Sequence, residues 1–117
     1  MRSKVYLDTS VVSALFDERT PERLSMTAVL WSKLNDNVLH VSEKAKNLAK
    51  IYVKQGIFPE KYFDDALHVA LASENQIDIL ISWNFTHLVK LKTRRMVLAI
   101  NLQEDFIPVE IISPPEL

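Results

Sequence analysis

Cysteine is missing from the sequence, which excludes disulfides, thiolate metal sites and thiol chemistry. Glycine occurs once, at Gly56, so no glycine-rich loop is present to cradle a phosphate. No apolar run approaches the roughly 20 residues that span a bilayer. The first such run is short and is interrupted by Asp8, so neither a signal peptide nor a membrane segment is expected, and the cytoplasm is the default compartment. An excess of one charge is also lacking. Fourteen Lys and Arg against 15 Asp and Glu give a formal net charge of −1, so any nucleic-acid binding has to come from a local patch or from bound cations. Repeats, linkers and low-complexity stretches are absent, and 117 residues are most simply one domain spanning the whole chain.

What is present is an alternation of short apolar runs and helical patterns. Lys4-Val5-Tyr6-Leu7-Asp8-Thr9-Ser10 reads as a buried strand that delivers a carboxylate to its C-terminal end, with a helix capped by Ser10. Thr20-Pro21-Glu22 restarts a helix that repeats apolar residues at Leu24, Ala28, Trp31 and Leu34, and Asn35-Asp36-Asn37 stops it. Val38–Val41 reads as a strand and Ser42 as the next N-cap. Ala45, Leu48, Ala49 and Tyr52 then mark an amphipathic helix ending at Gly56. Pro59-Glu60 opens a helix with Phe63, Ala66, Leu67, Ala70 and Leu71 inward. Ile77–Ser82 is the strongest strand pattern, continuous enough to be central and parallel. Lys90–Arg95 reads as a basic connector. Met96–Leu102 fits either period, with helix favoured, and Val109–Ile112 is a last strand. The alternation predicts a small three-layer α/β domain with a mainly parallel central sheet.

Ligands in such sheets bind just outside the carboxyl ends of the strands. If the Asp8 and Ile77–Ile81 strands are parallel neighbours, Asp8, Ser82 and Asn84 open on one edge, and a helix N-terminus packed there adds Asp65. Carboxylate and amide oxygens converging on one spot favour Mg²⁺ or Mn²⁺, the requirement of phosphodiester hydrolysis. The bland alternative is that the acids complement helix dipoles and the polar residues are solvated caps. Lys90, Lys92, Arg94 and Arg95 offer phosphate contacts that would position RNA without reading it, or else are a solvated connector. His40, His68 and His87 sit at no metal-motif spacing, and neither Ser10 nor Ser82 has an identifiable partner base. His68 is expected to pack near the site, and His87 to lie in the turn after the strand.

Val5-Tyr6-Leu7-Asp8-Thr9-Ser10, Asp65-Ala66-Leu67-His68-Val69-Ala70-Leu71-Ala72 and Ile79-Leu80-Ile81-Ser82-Trp83-Asn84-Phe85 stand in the order seen in PIN-domain proteins. The chain resembles most the VapC-like group, the toxin side of prokaryotic toxin–antitoxin pairs. The resemblance implies a nuclease, a hydrolase whose acidic cluster binds Mg²⁺ or Mn²⁺ and cleaves RNA. Asp8 matches the family's first acid and Asp65 its third. Asn84 falls where the family has a fourth acid or asparagine, and Ser82 is the hydroxyl two residues before it. Asp8, Asp65 and Asn84 are thus the implied metal-binding residues, joined by Ser82 in the implied catalytic set.

The family also carries a second acid, a glutamate, on a middle helix. Here the middle is short, lacking part of the usual strand and helix. Val38–Val41 runs directly into Ser42-Glu43-Lys44-Ala45, which looks like the segment that follows the missing one. In the other alignment, with Ser42–Lys50 on the glutamate-bearing helix, the expected position falls near Asn47 and Leu48, and the nearest carboxylate, Glu43, sits where it complements a helix N-terminus. Fewer carboxylates imply weaker cation binding. The alternative expectation is therefore a catalytically degenerate PIN-like module that binds a partner. A shortened middle also exposes apolar surface, for which an antitoxin or a second copy of the chain is the expected cover.

Overall fold

A computed structural model describes residues 4–8, 10 and 41–116. The helices expected after Ser10 and Thr20 lie outside these residues, as does the strand expected at Val38, save for Val41, which is exposed and in no strand. Among these residues three strands form one parallel sheet in the order β1 (Val5–Leu7), β2 (Ile79–Ile81), β3 (Glu110–Ile112). The strongest strand pattern is therefore the central strand. Among the described residues three helices accompany the sheet: α1 (Glu43–Lys54), α2 (Phe63–Glu74) and α3 (Leu91–Gln103).

Register explains the burial. Tyr6, Leu80 and Ile111 align across the three strands and face one apolar cluster. That cluster holds Ala45, Leu48 and Tyr52 of α1, Ala66, Val69 and Ala70 of α2, and Val97 of α3. Val5, Leu7, Ile79, Ile81 and Ile112 point to the opposite face, where Trp83 joins them in a second cluster. All three described helices contribute to the first cluster, on one face of the sheet, and the helices expected after Ser10 and Thr20 lie outside the described residues.

Each of the three described helices ends in the same way. Gly56, Gln76 and Asp105 take positive φ of 81°, 56° and 62°. The following N–H, from Ile57, Ile77 and Phe106, reaches back to Tyr52, Ala72 and Asn101 at 3.0, 2.8 and 2.7 Å. This is the Schellman arrangement, with an apolar residue turned onto the core after the left-handed position. At its other end α1 is capped by Ser42, whose Oγ accepts from Ala45 N at 3.0 Å and donates to Glu74 Oε2 of α2.

Several boundaries differ from the sequence reading. Lys90–Arg95 is not a connector: only Lys90 is extended, and α3 starts at Leu91. Thr93, Val97 and Asn101, at i, i+4, i+8, form its buried face, and the basic residues alternate around them. The helix after Pro59 opens as a 3₁₀ turn over Glu60–Tyr62, because Tyr62 leaves helical geometry before α2 begins. Ile77 belongs to the α2 cap rather than to β2, and Val109 precedes β3. Inside the cluster a polar group is closed upon itself. Tyr52 OH donates to Asn101 Oδ1, Asn101 Nδ2 donates to Ser73 Oγ at 2.8 Å, and Ser73 Oγ donates to Val69 O at 2.9 Å. Among the described residues no helix is long and apolar enough to cross a membrane.

Candidate functional site

The parallel ladder runs one residue beyond the strands. Asp8 N donates to Ile81 O at 3.0 Å and Ser82 N to Ile112 O at 2.9 Å, which sets Asp8 and Ser82 side by side at the carboxyl edge. Both are buried. A buried carboxylate needs donors, and Asp8 Oδ2 has them: Ser82 Oγ at 2.8 Å and Ser10 Oγ at 2.7 Å. Each hydroxyl also accepts a backbone N–H, Ser82 from Asn84 and Ser10 from Trp83, both at 2.9 Å. With both hydroxyl protons directed at Asp8, the 3.2 Å contact between the two serine oxygens holds no proton. Oδ2 is thus committed to the fold. Oδ1 lies 3.6 Å from His68 Nε2 of α2.

Asp65 comes from the first turn of α2, where the helix dipole favours an acid. Burial raises its pKa, the Asp8 and Asp64 carboxylates raise it further, and His87 and His68 act in the opposite sense. Asn84 Nδ2 approaches Asp65 Oδ2 at 3.5 Å, while Asn84 Oδ1 accepts His87 N at 3.0 Å and so caps the turn after β2. The amide faces Asp65 as a donor, and its oxygen is already engaged. Asp8, Ser10, Asp64, Asp65, His68 and Asn84 are among the described residues lining one cleft of about 570 Å³, with Val41, Leu67 and Leu71 as its apolar wall.

The four residues expected at the site are therefore brought together in two roles. Asp8, Asp65 and Asn84 face the cleft, and Ser82 lies behind Asp8 as its donor. Glu43 is elsewhere: its side chain is 80% exposed and pairs with Lys46 at 3.3 Å. Among the described residues no group of three or more His, Cys, Asp or Glu converges as a metal cluster. What the cleft lining does offer is the carboxylates of Asp8, Asp64 and Asp65, and Mg²⁺ is commonly held by one or two carboxylates together with waters and substrate phosphates, so the donor types suit such a cation.

Two residues escaped the sequence reading in their roles. His68 was expected only to pack nearby, yet it lines the cleft beside Asp8. Tyr6, read as a strand residue, puts its hydroxyl 2.7 Å from His68 Nδ1, and burial with the Asp8 charge pushes its pKa up to about 12. The i, i+3 spacing of Asp65 and His68 on one helix face was the available signal. His87 stands in the turn after β2, its ring stacked on Tyr62 at 4.0 Å.

The basic residues divide. Lys90, Lys92 and Arg95 are exposed, whereas Arg94 donates to Glu116 Oε1 at 3.0 Å. Thr93 Oγ1 bonds His87 O at 2.9 Å and ties this end of α3 to the Asn84 turn. No family model, curated protein or solved structure matches the chain.

Proposed function

We propose that the chain is a PIN-like, divalent-cation-dependent endoribonuclease of the VapC-like, toxin–antitoxin type. One observation carries the reading: Asp8 from the end of β1 and Asp65 from the first turn of α2 face the same cleft, where burial first and the Asp8 charge second raise the Asp65 pKa. Two carboxylates set against each other in a partly buried site are stabilised by a bound cation. Asp8 and Asp65 would hold Mg²⁺ or Mn²⁺, which supplies charge opposite the phosphate and lowers the pKa of water there. Asp8 is held for this by Ser10 and Ser82, which fix Oδ2 and leave Oδ1 as the oxygen nearest His68. Asn84 steadies Asp65 through its amide nitrogen. Lys90, Lys92 and Arg95 would contact RNA phosphates without reading bases.

A second reading, a catalytically silent PIN-like module, is favoured by the position of Glu43, which is exposed, pairs with Lys46 and does not line the cleft. Either way, the partner proposed is an antitoxin or a second copy of the chain, working in the cytoplasm. The apolar surface behind that proposal is Leu91, Leu98 and Leu102, exposed at i, i+7 and i+11 along α3. Incubation with single-stranded RNA in Mg²⁺, in Mn²⁺ and in chelator tests the assignment. The nuclease cleaves with either cation, stops in chelator and loses activity in Asp8→Asn; absence of cleavage under all conditions favours the silent module.

A further inference from the structure

Four exposed side chains of α3 lie in one stripe along the helix: Leu91, Arg95, Leu98 and Leu102. At about 100° per residue they fall within an arc of about 60°, on a flank turned away from the buried Thr93, Val97 and Asn101. Leu91 and Leu102 are each 60% exposed and Leu98 42%. A helix that buries one face and carries a second apolar stripe in water has surface left for a partner.

Two features say what fits that surface. The stripe steps by four, three and four residues, the seam spacing of a coiled coil, and this order reads the same in either direction. A two-fold axis between Met96 and Val97 therefore lays the stripe antiparallel on its own copy. Leu91 then meets Leu102 of the second copy, and Arg95 meets its Leu98. A parallel pair would set Arg95 against Arg95, which like charges disfavour.

The second feature is charge. Lys90 and Lys92 are exposed at the start of α3, and Glu104 and Asp105 are exposed just past its end. Lys44 of α1, over the Phe106 ring at 5.3 Å, offsets part of that acidic charge and not all of it. The helix keeps its two ends about 20 Å apart, beyond the screening length at physiological salt, so they hardly neutralise one another. Antiparallel pairing brings each basic end beside the acidic end of the other copy.

We infer that α3 is a homodimer seam: a second copy of this chain docks its own α3 antiparallel on the stripe of Leu91, Arg95, Leu98 and Leu102. The inference deepens the partner reading above and does not depend on whether the cleft cleaves RNA. The Arg95 stem packs on Leu98 of the second copy while its guanidinium stays at the rim of the seam, open to phosphate. With four side chains from each copy the contact is small, so the dimer is transient rather than obligate.

Sedimentation velocity across micromolar to millimolar concentrations tests this, with urea midpoints of the dilute proteins confirming that each variant folds. The wild type is expected to pass from monomer to dimer as concentration rises, and the dimer to weaken in high salt. Leu98→Lys places a cation against the second copy's Arg95 and should weaken the dimer at least about tenfold, a modest share of what facing like charges cost. Arg95→Glu/Leu98→Lys should recover the dimer, because antiparallel pairing sets the introduced acid against the introduced base at both layers. A wild type that stays monomeric at every concentration overturns the proposal and leaves this face to a different protein. A dimer that Leu98→Lys leaves unchanged overturns both the α3 seam and the reading of this stripe as a partner surface. A double variant no tighter than Leu98→Lys overturns the antiparallel register.

Discussion

Ser82 donates its hydroxyl proton to Asp8 Oδ2 at 2.8 Å, joining the ends of two neighbouring parallel strands whose residues lie 74 positions apart in the chain. The same hydroxyl accepts Asn84 N, so one oxygen fixes both a carboxylate and the turn that follows β2. Ser82→Ala removes both bonds inside a buried site. It is expected to cost about 1–3 kcal/mol in urea unfolding, the usual penalty for orphaning buried polar groups. Thr at this position retains the hydroxyl and is expected to recover most of the loss.

Asp65 gives a pH signature. Its folded pKa lies above its unfolded value because of burial and the Asp8 charge, so the folded state binds more protons in the acid range. Its contribution is therefore most favourable below the unfolded pKa and turns against folding as pH rises through the folded pKa. Asp65→Asn is expected to be more stable than wild type near neutrality, with the difference closing in acid. Urea midpoints measured across pH check the sign. Asp8→Asn should also lower the Asp65 pKa observed by NMR.

Asn101 is fully buried and stands at the centre of the polar group that joins all three helices. Asn101→Ala opens a cavity and leaves the Tyr52 hydroxyl without its acceptor, a combined cost of about 3 kcal/mol in chemical denaturation. Tyr52→Phe removes the donor and leaves the smaller defect, so it should fall below Asn101→Ala.

Gly56 sits at φ +81°, with no atom within 4 Å of where a Cβ would stand. Gly56→Ala therefore meets no clash, and its cost is conformational alone, about 1–2 kcal/mol for an L-residue held left-handed. A larger loss of unfolding free energy would show that the turn is more crowded than this geometry allows.

These features were unequally legible in the sequence. The Ser42 cap, the Ala45–Leu48–Ala49–Tyr52 face and the Gly56 stop are local patterns, and the structure follows them. The other two helix ends were hidden because Gln76 and Asp105 take the left-handed position without glycine, at a cost offset by Ile77 and Phe106 packing on the core. The start of α3 was masked by Lys92, Arg94 and Arg95, charges that looked like a connector but surround the buried Thr93 and Val97. At the site, the meeting of Asp8 with Ser82 follows from two adjacent parallel strands. The Tyr6–His68 bond links residues 62 positions apart, and no local spacing reports it.

The central claim is that Asp8 and Asp65 together hold a divalent cation. Calorimetric titration of Mn²⁺ into wild type, Asp8→Asn and Asp65→Asn tests it most directly. The account predicts one Mn²⁺ site in the wild type, lost or weakened at least about tenfold by either substitution, since each removes one of the two carboxylates proposed as ligands. Mn²⁺ binding of equal strength in all three proteins, or none in the wild type, would contradict it.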